Sequence, residues 1–401
     1  MSIERTLNLI HNEFEMIEPM PEVLDIEEYT EEDFLETCAG CSESLIAFKR
    51  RAYDEYRTLK FPAWKRASLD SFSLKRPVPG VEYELTGPEI YKSISEMDQS
   101  EESLIRKLDF QGSDRKFTLL ADSFSKTGII VRTKENTYYG ETLFCKTSSE
   151  SAIASNLIVI EENSKLDIIF YSRGSDLSVI TNRFLIKKGA QLNVLFVNLS
   201  SAKSHSIFNN YYVLGEKANL RLYDINLGGT VLAPYHLIKT AGRGASARIK
   251  PIFFPTNNEK IDMLYLGRVD APESTTEIEG IGAVSGNSKA VFRGFVDIKK
   301  GAKNSSGTEH SSTIILSDKA TVQAIPGLFV DENEVNASHA ASAGTIENDK
   351  IYYLMTRGLT MNEALKLIVN GAFEPVLQEI EEIFGNEIPG GVRDVLSKRI
   401  G

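Results

Sequence analysis

The five residues Ile186-Lys187-Lys188-Gly189-Ala190 recur unchanged at Ile298-Lys299-Lys300-Gly301-Ala302, 112 residues further along the chain. That displacement is four lengths of 28, and a step near 28 also governs a wider repeat. A small residue in a turn, followed by a strand, appears at Ser164, Ala190, Ala218, Ala245, Ser274 and Ala302, at successive intervals of 26, 28, 27, 29 and 28. A period of this length that carries only strand and turn signals fits one coil of a β-solenoid, where each coil buries its inward side chains on its neighbours. A leucine-rich repeat needs asparagine ladders and helices, and a propeller blade needs about forty residues. A sandwich or barrel is the remaining alternative.

The strand signals are short β-branched and aromatic runs, such as Gly128-Ile129-Ile130-Val131, Leu157-Ile158-Val159-Ile160 and Ile168-Ile169-Phe170-Tyr171, separated by Gly, Ser, Asn and Lys. They begin at about Lys116. Helical patterns lie on both sides. Upstream, Ile3, Leu7, Ile10 and Phe14 recur at helical spacing, Thr30 with Asp33 resembles a helix start, and Leu45, Phe48, Ala52, Tyr56 and Leu59 draw one apolar stripe that ends before Phe61-Pro62. Arg76 to Gly80, with two prolines and a glycine, reads as a linker. Downstream, Thr360 and Glu363 have capping-box spacing, Ala364, Leu367, Ile368, Ala372 and Val376 form a stripe, and Gly385 is a stop signal. The expected organisation is an N-terminal helical domain over 1–107, a β-helix over 108–345 and a C-terminal helical module over 346–401. Terminal helices are expected to cover the open ends of the solenoid.

Composition narrows the function. With 42% hydrophobic residues the chain can build a sizeable core without staples. No charged n-region precedes an apolar run and no apolar stretch approaches twenty residues, so a cytoplasmic protein with no membrane partner is expected. A net charge of −11 argues against nucleic acid, because that affinity rests on releasing counterions to a basic face. The basic cluster Lys49, Arg50, Arg51 reads as one solvated helix face. Three cysteines make no disulfide framework.

Cys38-Ala39-Gly40-Cys41 has a spacing used for zinc and for redox pairs, yet zinc takes four ligands and Cys145 is the one further cysteine. From Lys146 to Gly401 there is no thiol, so chemistry there falls to His, Asp, Glu and Ser. His11, His205, His236 and His310 each stand without metal spacing and read as structural. No nucleophile elbow, HExxH helix or phosphate loop is present, and acidic runs such as Glu332-Asn333-Glu334 read as solvated faces. Nothing in these residues requires an enzyme.

One stretch is more specific. Val335-Asn336-Ala337-Ser338-His339-Ala340-Ala341-Ser342-Ala343-Gly344-Thr345-Ile346 is followed by Tyr352-Tyr353-Leu354-Met355-Thr356-Arg357-Gly358-Leu359, then by Glu363-Ala364 and Gly371-Ala372-Phe373. This resembles the C-terminal signature of the SufB/SufD family of iron–sulfur cluster assembly proteins, in which a histidine segment is followed by an aromatic pair, a Ser/Thr-Arg-Gly turn and a helix opening with Glu-Ala. Leu316-Ser317-Asp318-Lys319-Ala320 and Ile325-Pro326-Gly327-Leu328 match in register. The strong match runs from Phe295 to Phe373; upstream, Phe61-Pro62-Ala63-Trp64-Lys65 loosely resembles a proline–tryptophan segment of the family.

The resemblance implies a right-handed parallel β-helix between helical modules, in a non-catalytic scaffold of the SufBCD complex. Chains of this family pair through their β-helices, and each docks a SufC ATPase through its C-terminal module, so nucleotide hydrolysis would belong to the partner. Tyr352, Tyr353, Arg357 and Gly358 lie where the signature is densest, either as a docking surface or as a turn that locks the last helices. The cluster-bearing cysteine of SufB-type chains falls at Ala320, and the glutamate after the family histidine falls at Ala340. Only His339 remains, as in SufD-type chains, whose histidine completes a site shared with the SufB cysteine. The resemblance therefore implies a SufD-like chain that pairs with a SufB-type chain or with itself, holds no stable cluster alone, and offers His339 to a transient one; a structural role for His339 stays open. Two other readings stand beside it: a polysaccharide-active enzyme, since β-helices also serve lyases and hydrolases, and a self-sufficient cluster carrier using Cys38 and Cys41.

Overall fold

The computed structural model describes residues 28–62, 83–147, 152–172, 177–200 and 204–400. Its body is a parallel β-solenoid of two nine-stranded sheets, here called A and B. Successive strands alternate between them: Gln191–Ser200 lies in sheet A, His205–Leu214 in sheet B and Asn219–Gly228 in sheet A again. The duplicated pentapeptide sits on one line of sheet B. Ile186 pairs with Leu214, Leu214 with Thr240, Thr240 with Val269 and Val269 with Ile298, so its copies are four coils apart.

The repeated small residues explain the period. Ser164, Ala190, Ala218, Ala245, Ser274 and Ala302 are all buried at the same turn of each coil. The residue before each one has positive φ: Asn163, Gly189, Lys217, Gly244, Glu273 and Gly301. Such a backbone is costly for most side chains, and stacking repays it: the N–H of Asn163 donates to the Lys188 carbonyl, that of Gly189 to Glu216, that of Lys217 to Arg243 and that of Gly244 to Pro272, each one coil further on.

Between the sheets lies a core of Ile, Leu, Val and Phe that includes the third cysteine, Cys145. One inward line of sheet B is polar. Asn156, Asn182, Asn210, His236 and Tyr265 succeed one another in register, and amide bonds of 2.7 Å link Asn156 to Asn182 and Asn182 to Asn210. His236 is therefore not isolated: its Nε2 lies 3.1 Å from Asp224 Oδ2, and the Tyr265 hydroxyl donates to the same oxygen at 2.6 Å. This cluster is fully buried, which agrees with a structural reading of His236.

The outer faces are covered by helices. Thr30 and Asp33 form the expected capping box of α1 (Glu31–Cys38), and α2 (Glu43–Tyr56) buries Leu45, Phe48, Ala52 and Tyr56. With α3 (Gln99–Lys107) and α4 (Arg115–Phe124) these pack on sheet B. The span of α4 falls where strand texture is expected to begin; Asp114 caps it, and Phe117, Leu119, Leu120 and Phe124 bury too wide a face for alternation to reveal. Short strands Tyr83–Thr86 and Tyr91–Ser93 add antiparallel to the first coil. The Ile3–Phe14 stripe, His11, Trp64 and the Arg76–Gly80 linker lie outside the described residues.

One lysine departs from the solvated-face reading of the Lys49, Arg50, Arg51 cluster. Lys49 is fully buried and donates to the carbonyls of Thr37 at 2.7 Å and Ser125 at 2.9 Å, while burial lowers its pKa to about 8; only Arg50 and Arg51 face solvent. Lys116 is likewise buried, against Glu28 and the Tyr56 and Leu59 carbonyls.

After α5 (Asn348–Thr356), helices α6 (Met361–Phe384) and α7 (Glu387–Arg399) pack on the outer face of sheet A. The Thr360–Glu363 capping box and the Gly385 stop are as the sequence predicts. The buried stripe is rotated: Ala364, Val369, Phe373, Val376, Leu377 and Ile380 face inward, and Leu367 is exposed. The expectation that terminal helices cover the solenoid's ends fails at its C-terminal end. These helices find a larger apolar surface, including Leu195, Ile225 and Phe254, along the sheet face, and Lys250 and Arg399 tie them there through Glu379 at 2.6 Å and Glu259 at 2.6 Å.

The firmest clamp on the opposite face is Arg183, which grips Asp122 of α4 through bonds of 2.6 and 2.9 Å with both residues buried. Removing one member strands the other's charge, so Asp122→Ala should cost about 3–5 kcal/mol in urea or thermal unfolding. Glu31→Ala, which breaks the exposed Arg50 pair, should cost less than about 1 kcal/mol in the same assay.

Candidate functional site

Sheet A ends at Val335–Thr345 and sheet B at Thr321–Val330, each paired on one side only. Ser338 to Thr345 are all exposed, and the inward-facing Val322, Leu328, Val335 and Ala337 are only partly buried. The last coil thus presents two strand edges and the mouth of the lumen between them.

His339 lies in this last strand and is exposed. It pairs in register with Glu309 of Ser305–Ile315. Burial alternates along that strand, with Ser305, Gly307, Glu309, Ser311 and Thr313 buried. Register partners in parallel strands point to the same side, so His339 continues the inward line of Glu309 one coil out. Ala340, next to it, falls on the outward line, and Ala320 is buried in the turn before Thr321. His310 is exposed on the outer face.

Glu309 was not legible as a site residue, because in the string it is one carboxylate among many. Alternation combined with a one-coil offset from His339 is the signal that singles it out. Its side chain has no solvent exposure, and neither carboxylate oxygen has a hydrogen-bond partner. Gly294 of the facing sheet makes the room: a Cβ there would stand 2.5 Å from Glu309 Cγ.

The C-terminal signature forms a second surface. Tyr352 and Tyr353 on α5 are 70% and 55% exposed, and Met355, Met361 and Leu367 are exposed beside them in sequence. The Arg357 guanidinium sits 5.1 Å from the Tyr353 ring centre, and Gly358 takes positive φ at the turn into α6.

Cys38 ends α1 and Cys41 lies in the turn to α2, which is closed by a bond from the Cys41 N–H to the Cys38 carbonyl. Burial raises the Cys38 thiol, and Cys41 donates to the Thr37 carbonyl at 3.4 Å. Cys145 is inside the solenoid, its thiol pushed far up by desolvation. Among the described residues no group of three or more His, Cys, Asp or Glu could hold a metal ion, and no helix is long and apolar enough to cross a membrane.

Comparison with known proteins adds the following. The family described as SUF system FeS cluster assembly, SufBD core domain, matches residues 143–372. The chain is 26% identical over 201 residues to the iron–sulfur cluster assembly protein SufD of Escherichia coli, covering 47% of each chain. It is 36% identical over 99 residues to SufD of Bacillus subtilis, 25% of this chain and 23% of that protein. An iron–sulfur cluster assembly SufBD family protein of Mycobacterium tuberculosis is 26% identical over 191 residues, 45% of this chain and 22% of that one. Each match spans less than half the relative's length.

Desolvation raises the Glu309 pKa to about 7, against a small opposing influence of the Ser311 hydroxyl. An acid whose folded pKa lies above its unfolded value is buried neutral at no ionisation cost below pH about 4.5; the cost grows as pH rises and is complete above about 7. Glu309→Gln removes it. The variant should therefore gain stability relative to the native chain between pH 4.5 and 8, by at most ~3 kcal/mol, read from urea midpoints at both pH values.

Proposed function

The chain belongs to the SufB/SufD family of iron–sulfur cluster assembly proteins, and from that premise we propose that it is a SufD-like scaffold, pairing through the open end of its solenoid and docking a SufC-type ATPase through α5 and the start of α6. The observation that carries this reading is the uncovered last coil. Unpaired strand edges are an aggregation hazard that folded proteins normally blunt with charge, proline or a covering element. Here the outermost strand reads Val-Asn-Ala-Ser-His-Ala-Ala-Ser-Ala-Gly-Thr, with no formal charge, as suits an edge meant to be paired. The partner is a SufB-type chain or a second copy, and His339 stands at that seam as an imidazole donor to a cluster built there.

The C-terminal module, residues 346–401, is the ATPase-docking part in this reading. A patch holding two exposed tyrosines, two exposed methionines and an arginine has the composition of an interface centre. Hydrolysis belongs to the ATPase and the chain is a scaffold, with the iron and sulfur of the cluster as cargo. A cytoplasmic setting accords with this role.

Three expected outcomes test the reading. Co-purified anaerobically with SufB- and SufC-type proteins, the native chain and His339→Ala should both assemble, with bound iron falling in the variant; unchanged iron with weakened assembly would make His339 structural. Lysines at Ser338 and Ala340, both exposed on the outward line of the edge, should abolish pairing in sedimentation while leaving thermal unfolding unchanged. Tyr352→Ala with Tyr353→Ala should weaken ATPase binding at least tenfold, about 1.4 kcal/mol, without altering the chain's melting.

A further inference from the structure

Glu309 presents a contradiction that packing alone does not resolve. Buried carboxylates are normally paired or hydrogen-bonded, because an unmet one pays its full desolvation cost. Glu309 is fully buried with both oxygens unmet, although the inward lines around it offer other solutions. Ile278 holds the preceding position on its own line. Asn210, His236 and Tyr265 on the facing sheet are all satisfied through one another and Asp224. That facing line then changes character: Tyr265 is succeeded by Gly294 and Gly294 by Pro326, so the facing sheet offers Glu309 no side-chain donor, and the Ser311 hydroxyl on its own strand offsets its desolvation only in part. On the Glu309 side, Ala337 and Ala341 flank His339 on the inward line.

We propose that Glu309 and His339 together form half of a binding site for a divalent first-row metal ion, the ferrous ion above all, at the mouth of the solenoid lumen. The two residues are register partners in adjacent parallel strands, which run roughly 4.8 Å apart. A carboxylate oxygen and an imidazole nitrogen at that spacing can share one cation at bonds of about 2.0–2.2 Å, and mixed oxygen and nitrogen donors suit iron, zinc, cobalt and manganese. Two donors do not complete a coordination shell; water or the chain paired across the edge supplies the remainder. The glutamate thereby gives the site a negative charge that a lone histidine lacks, and burial gives it a fixed position. This inference rests on the open end being the assembly face, and it makes Glu309 a ligand of the metal cargo there.

The test is titration of the full purified chain with Co²⁺, followed by its visible d–d absorption, for the native protein, Glu309→Gln, Glu309→Asp and His339→Ala. Each is first checked for a folded far-UV circular dichroism spectrum and a single cooperative unfolding transition; His339 is exposed, and glutamine keeps the shape of Glu309. The expected result is a native spectrum with nitrogen and oxygen donors, at least tenfold weaker binding in Glu309→Gln and in His339→Ala, and partial recovery in Glu309→Asp. Equal affinity of the native chain and Glu309→Gln would overturn the proposal, as would absence of binding by the native chain. Failure of the native chain to pair or to dock an ATPase, with Co²⁺ binding intact, would instead sink the scaffold reading and leave the metal site standing.

Discussion

Everything in this molecule depends on coils stacking in exact register. A parallel strand pair gains its hydrogen bonds only from a neighbour at the same height, and a slip of one residue would turn the inward line outward. The turns enforce the register. A left-handed residue followed by a buried small one places its N–H against a carbonyl of the next coil at Asn163, Gly189, Lys217, Gly244 and Glu273, and against the Glu332 carboxylate at Gly301, so a coil folds correctly only on a correctly folded neighbour. The uninterrupted lines that follow, such as Asn156, Asn182, Asn210 and His236, are products of this stacking and not separate inventions.

Both faces of such a solenoid remain apolar, because parallel strands are buried on both sides. The helices answer that need. Those before the repeat cover sheet B around Arg183 and Asp122, and those after it cover sheet A around Phe373 and Leu377. With both faces covered, Val330 on the last coil and Tyr352, Tyr353 and Met355 on α5 are among the large apolar side chains left exposed in the described residues, as are Leu35, Ile46, Tyr91 and Tyr138 elsewhere.

Much of the fold could be read in the string. The repeat announced the coil, the short β-branched runs announced the strands, and Thr360, Glu363 and Gly385 marked the bounds of α6. What stayed hidden has physical causes. Lys49 and Lys116 look solvated by type, yet carbonyl groups brought together from distant segments bury them. The inward face of α6 cannot be told from its pattern, since Leu367 and Val369 are both apolar and only docking selects Val369. Glu309 is invisible for a similar reason: its meaning arises from the coil above and from the absence of a side chain at Gly294. His339 was legible through family resemblance, and its exposure through the edge on which it lies.

The two ends of the solenoid are unequal. At the start, Tyr83–Thr86 and Tyr91–Ser93 cross the first coil antiparallel as strands of four and three residues bearing Glu84 and Lys92, whereas the finish offers long, uncharged, parallel edges. A repeat with two sticky ends grows head to tail without limit, since nothing closes the series. One sticky end can only meet another. The pairing proposed above would then follow a counting rule set by topology: along the solenoid axis it would stop at two instead of extending into a filament.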